Sequence, residues 1–104
     1  MYKLNVSLFM ERGMQENVTN YLQTTFCPAF EKSQIVHDKE LAYVLPLDAG
    51  EGGHEVTLAL SYKYDSYELL MGHLEQDAGE ALRSLALYFG QNVLTHITVM
   101  QSLI

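Results

Sequence analysis

Residues 91–104, QNVLTHITVMQSLI, carry no charged side chain. The run follows a Phe89-Gly90 helix stop and is apolar on alternate positions. A strand with that pattern, and no ionic group on its other positions, is poorly suited to open water on either side. It is therefore expected to be a central strand of a sheet, and the rest of the chain is arranged around it. Within it, Val93, Ile97 and Val99 suit the core, while Leu94, His96, Thr98 and Met100 turn the other way.

The start of the chain alternates as cleanly. Tyr2, Leu4, Val6 and Leu8 share one face and Lys3, Asn5 and Ser7 the other, the period of a half-buried strand. Met14, Val18, Tyr21, Leu22 and Thr25 then recur at helical spacing and predict a helix over 14–26, which Pro28 stops or kinks. Residues 33–48 read as a long strand, with Pro46 suited to its end. The glycine-rich 48–53 segment predicts a loop, and 54–64 resumes the alternation, so the pair predicts a hairpin. Asp65 with Glu68 has capping-box spacing, and Ser66 is an equally good cap for a second helix. Leu70, Leu74, Ala78, Ala81, Leu82 and Leu85 form its apolar stripe, and Gly90 suits its end.

The order is strand, helix, strand, strand, helix, strand. That predicts one α+β domain over 1–104, a ferredoxin-like βαββαβ fold with a four-stranded antiparallel sheet. Right-handed crossovers put both helices on one face. The other face then carries Asn5, Ser7, Thr57, Ala59, Ser61, Leu94, His96, Thr98 and Met100. A solvated sheet face usually recruits Lys, Glu and Arg, and here only Lys3 and Lys63 bring charge, near its ends. The face is expected to meet a second copy of the chain or to enclose a small, partly polar cavity.

The formal charge of −7 and six scattered basic residues argue against a nucleic-acid surface and against anionic membranes. No apolar run approaches a membrane span, and the first residues do not read as a secretory signal, so a cytoplasmic protein is expected. The single cysteine, Cys27, gives no disulfide framework and reads as a packing residue. Tyr62, Tyr64 and Tyr67 gather where the third strand meets the second helix, as core-edge packing or as an aromatic lip over a ligand.

His37, His54, His73 and His96 lie too far apart in sequence for a local metal site, and no cofactor motif is present. A sheet-borne site would need His96 beside Asn5 or Ser7 across strands. There it would act as a proton acceptor, as a metal ligand, or simply as a hydrogen-bonded sheet histidine.

The opening Tyr2-x-Leu4-Asn5-Val6, the Cys27-Pro28 pair, the Ser66-initiated helix, and Phe89-Gly90 followed by 93–104 resemble a family of short, largely bacterial proteins of unknown function. That family is similar to the dimeric α/β-barrel group of ferredoxin-like folds. The resemblance implies a homodimer through the sheet and no established activity, so the leading expectation is a ligand-binding or structural/regulatory protein. Small antibiotic-biosynthesis-type and haem-degrading monooxygenases share this barrel and keep an Asn on strand one and a His on helix two. The resemblance thus implies Asn5 and His73 as catalytic candidates, and His96 joins them from the sheet face, although the haem-degrading enzymes also use a Trp and this chain has none.

Overall fold

The computed structural model describes residues 1–45 and 55–103. The glycine-rich loop, Pro46 and His54 lie outside the described residues. Strand β1 (Tyr2–Glu11) buries Leu4, Val6, Leu8 and Met10 on one face, as its alternation requires. Strands β2 (His37–Tyr43), β3 (Glu55–Tyr64) and β4 (Val93–Gln101) complete one sheet in the order β2-β3-β1-β4. All three pairings are antiparallel. The helices lie against the face that carries Leu4, Val6, Leu8, Leu58, Leu60, Tyr62 and Tyr64. This is the ferredoxin-like α+β arrangement.

One expectation fails here. The uncharged C-terminal run is an edge strand, not a central one, because β4 pairs only with β1. Alternation reports which face a side chain takes, not where its strand stands in the sheet. Ile97 and Val99 do lie on the helix side, opposite Val6 and Leu4, yet each remains 42% exposed. The helices cover only the start of β4, where Val93 is buried.

Of the two outcomes Pro28 permits, the first helix takes the kink and continues. Helix α1 (Gln15–Tyr21) passes into a π-helical turn over Leu22–Phe26, then into α2 (Cys27–Phe30). The wider π turn moves the preceding carbonyls away from the proline ring, so the chain bends around Pro28 rather than ending there. The same turn changes which side chains face inward. Phe26, not Thr25, follows Leu22 onto the sheet, and Cys27 and Phe30 come in behind it.

Strand β2 is shorter than the 33–48 expected. Gln34 and Asp38 both hold left-handed backbone conformations, φ 59° and 52°, which extended strands exclude. Asp38 sits in an irregularity of the β2–β3 register between His37 and Glu40.

The second helix divides into α3 (Tyr67–Glu75) and α4 (Asp77–Phe89), broken at Gln76 where φ is −122° and ψ −110°. Ser66 caps α3, its Oγ accepting from the Leu69 amide at 3.2 Å. Asp65 instead receives His37 Nε2 at 3.0 Å. At the break the backbones approach closely. A Cβ on Gly79 would lie 2.2 Å from the Leu74 carbonyl oxygen, so glycine is the residue that fits. Gly90 ends α4 with φ 58°.

Candidate functional site

The helix-free face of the sheet collects the polar residues singled out above. Cross-strand register sets Asn5 between Thr98 and Ser61, and Ser7 between His96 and Ala59. Phe9 lies between Leu94 and Thr57. Directly opposed residues in an antiparallel pair share a face with Cβ atoms about 4.5–5.5 Å apart. All nine predicted face residues therefore lie on one side, and His96 stands beside Ser7, the condition a sheet-borne site required. The Asn5 amide nitrogen donates to Ser7 Oγ at 2.9 Å. That bond fixes the amide and leaves the Ser7 hydroxyl proton free to donate onward. His96 is exposed, with no side-chain hydrogen bond among the described residues, so an imidazole and a hydroxyl sit side by side on an uncharged floor.

Sequence reasoning missed one member of this face. Phe9 is 42% exposed there and Leu94 65%, which makes an apolar patch next to the polar centre. The signal was present, since Lys3, Asn5 and Ser7 continue in step to Phe9 and β1 extends past Leu8. Toward the lysine end, a cleft of about 350 Å³ lies between Lys3, Asp38, Lys39, Glu40, Ser61 and Lys63. Ser61 is 5% exposed at its base, although it belongs to the helix-free face.

His73 is not brought to this face. It lies 3% exposed on the helix side, between β3 and α2. Its Nε2 meets the Phe30 carbonyl oxygen at 2.8 Å, and a carbonyl only accepts, so Nε2 carries the proton. Nδ1 is then the acceptor for the Tyr64 hydroxyl at 2.5 Å. Both ring nitrogens are thereby used, and the ring packs edge-on against Phe30 at 4.7 Å. Burial, the largest influence, lowers the His73 pKa, and the Phe30 hydrogen bond opposes it. The arrangement describes a neutral histidine tying α2, β3 and α3 together.

The tyrosines divide in the same way. Tyr62 and Tyr64 are fully buried, with phenol pKa values raised chiefly by burial. Tyr62 donates to Glu31 at 2.8 Å and stacks on Phe30. Tyr67 stays on the surface, its ring 5.7 Å from that of Tyr2. Cys27 is buried beside this group and burial raises its thiol pKa, the opposite of what a reactive cysteine needs. His37 is held by Asp65 at the β2 edge, on the surface. Among the described residues, no three His, Cys, Asp or Glu side chains converge as metal ligands. Also among them, no helix is long and apolar enough to cross a membrane.

Comparison with known proteins agrees with the fold. A family profile described as a domain of unknown function (DUF4286) matches residues 1–103. No curated protein matches the chain. Among solved structures, the fold is similar to an ethyl tert-butyl ether D (EthD) family protein from Bacillus halodurans, with TM-score 0.71, 18% identity, and coverage of 99% of this chain and 100% of that one. It is similar to a putative antibiotic biosynthesis monooxygenase from Deinococcus radiodurans, with TM-score 0.65, 14% identity, and coverage of 98% and 92%. A protein described as dimeric and ferredoxin-like, from an uncultured marine organism, matches with TM-score 0.55, 11% identity, and coverage of 100% and 98%. At these identities the likeness establishes the fold.

Proposed function

The chain belongs to this family of unknown function, and from its geometry we propose that it is a homodimer built on the helix-free sheet face, enclosing a small, partly polar cavity. Its role is to bind a small ligand or to act as a structural or regulatory module, without catalysis of its own. One observation carries this reading. The helix-free face has an uncharged centre of Asn5, Ser7, Thr57, Ala59, Ser61, His96 and Thr98, flanked by exposed Phe9, Leu94 and Met100. A face of that composition gains more from an uncharged partner surface than from water. A solved protein of like fold is described as dimeric, which supports the same assembly. Light scattering at micromolar concentration is expected to give the mass of two chains, and Leu94→Glu to give one. A mass of one chain for the unaltered protein overturns the reading.

A second reading is favoured by the Asn5–Ser7–His96 arrangement and by the monooxygenase among the structural neighbours. In it, the same cavity hosts oxidation of a small substrate with molecular oxygen as the oxidant, one oxygen atom entering the product and the other leaving as water. Asn5 and Ser7 orient a substrate oxygen, and His96 takes its proton. Haem titration followed by absorbance tests the haem version. A Soret shift lost in His96→Ala supports haem on this face, and no shift at all removes that version. His73 is placed to support β3 from below, because both its ring nitrogens are already bonded.

A further inference from the structure

The two ends of the helix-free face carry opposite charge. At one end Lys3 stands directly opposite Lys63, and at the other Glu11 stands directly opposite Glu55. Like charges in register on neighbouring strands destabilise a sheet. This chain places two such pairs on its two central strands, eight residues apart, which spans about 27 Å at the antiparallel rise. Local partners account for them only in part, since Asp38 and Glu40 line the cleft at the lysine end. Lys63 has Asp38 at 3.7 Å, but Lys3, Glu11 and Glu55 form no ion pair among the described residues.

The two edges of the sheet also differ. The β2 edge carries His37, Asp38, Lys39 and Glu40 and is interrupted at Asp38, the usual protection against strand addition. The β4 edge, Val93–Gln101, is nine residues long and uncharged, and Leu94, Ile97, Val99 and Met100 are exposed along it. An unprotected edge of that kind is a pairing surface.

A second copy can meet this face by one of two two-fold rotations, since the stacked strands of aligned sheets run nearly parallel or antiparallel. An axis along the strands lays β2 over the partner's β4 and brings lysine end to lysine end. An axis across the strands lays β4 beside the partner's β4 and brings each lysine end over a glutamate end. We infer that the two-fold axis runs across the strands near Ser7 and His96, so that Lys3 and Lys63 face the partner's Glu11 and Glu55 and the two β4 edges lie together. The charge pattern chooses this operator; the stacked β4 strands lie about 10 Å apart and are not hydrogen-bonded to each other. The inference rests on the dimer proposed above and deepens it by fixing its symmetry. It also places both copies of His96 near the axis, where one cavity is shared rather than two formed.

Charge exchange tests the operator. Lys3→Glu with Lys63→Glu is expected to raise the dimer dissociation constant about tenfold or more, measured by sedimentation equilibrium at low salt. Adding Glu11→Lys and Glu55→Lys is expected to restore it to within about threefold, because complementarity returns with the signs reversed. With lysine over lysine, neither variant would differ much from the parent. A dimer whose affinity ignores both exchanges therefore overturns the operator while leaving the dimer intact, whereas a monomeric parent overturns the dimer itself. A second measurement does not depend on charge. His96→Cys in a Cys27→Ser background is expected to give a covalent dimer with a bifunctional maleimide of about 10 Å span, the spacing of two stacked sheets. If this variant is dimeric and does not cross-link, the axis lies elsewhere.

Discussion

Gly79→Ala sets two energetic effects against each other, and the geometry decides between them. On helix propensity alone, alanine in place of an interior glycine of α4 gains about 0.5–1 kcal/mol. The new Cβ, however, would stand 2.2 Å from the Leu74 carbonyl oxygen and 3.3 Å from its carbon. The obstacle is backbone at the break between α3 and α4, not the end of a flexible side chain. Relief requires the two helices to part, which would strain the packing of Leu70 below the break and Ala78 above it, both fully buried. Overpacking of this kind costs about 3 kcal/mol. The net loss is then about 2 kcal/mol, or a Tm lowered by roughly 10 °C for a chain of this size. Gly72→Ala, in α3, is the matched control, because a Cβ there meets nothing within 4 Å. That variant keeps the propensity gain and is expected to raise the Tm by a few degrees. Thermal unfolding followed by far-UV circular dichroism reads both. If Gly79→Ala is as stable as the parent, or if the two variants move together, the close approach at the break does not govern this position.

Acid should weaken the fold through His73. Its folded pKa is depressed below the ordinary value of 6.5, so the unfolded chain binds the proton first as pH falls. Stability is therefore complete above about pH 6.5 and declines below it toward the folded value. His73→Gln, which can still donate to the Phe30 carbonyl and accept from Tyr64, should flatten that part of the urea-midpoint profile; an unchanged slope would place the titration on another group. Ser66→Ala removes the side-chain acceptor at the start of α3 and is expected to cost about 1 kcal/mol by urea denaturation, with a loss under a few tenths showing that the cap is replaced by water.

Much of this architecture could be read from alternation and helical spacing. Leu4, Val6 and Leu8 against Lys3, Asn5 and Ser7 is unambiguous, and it places the polar centre of the site on the helix-free face. The errors arise where a local signal has more than one physical cause. Absence of charge in 93–101 points to burial inside a sheet, but here it accompanies an exposed edge. Pro28 permits either a stop or a kink, because its ring clashes in an ordinary α turn, and the π turn ahead of it relieves that clash so that the chain bends and continues. The break at Gln76 had no composition signal except Gly79, three residues on. His73 lies between α2 and β3, so its two partners, 43 and 9 residues away, were not visible in a local reading. The opposed pairs Lys3–Lys63 and Glu11–Glu55 required the register, which no single strand contains.

The crooked, ionic border at Asp38 limits how far this sheet can grow. A molecule with two plain borders can recruit neighbours on both sides and propagate into a fibre. Here one border is closed by charge and by a kinked backbone, and only the other accepts company. Strand addition at that border would therefore end with one pair, since two copies joined there would turn only their ionic borders outward.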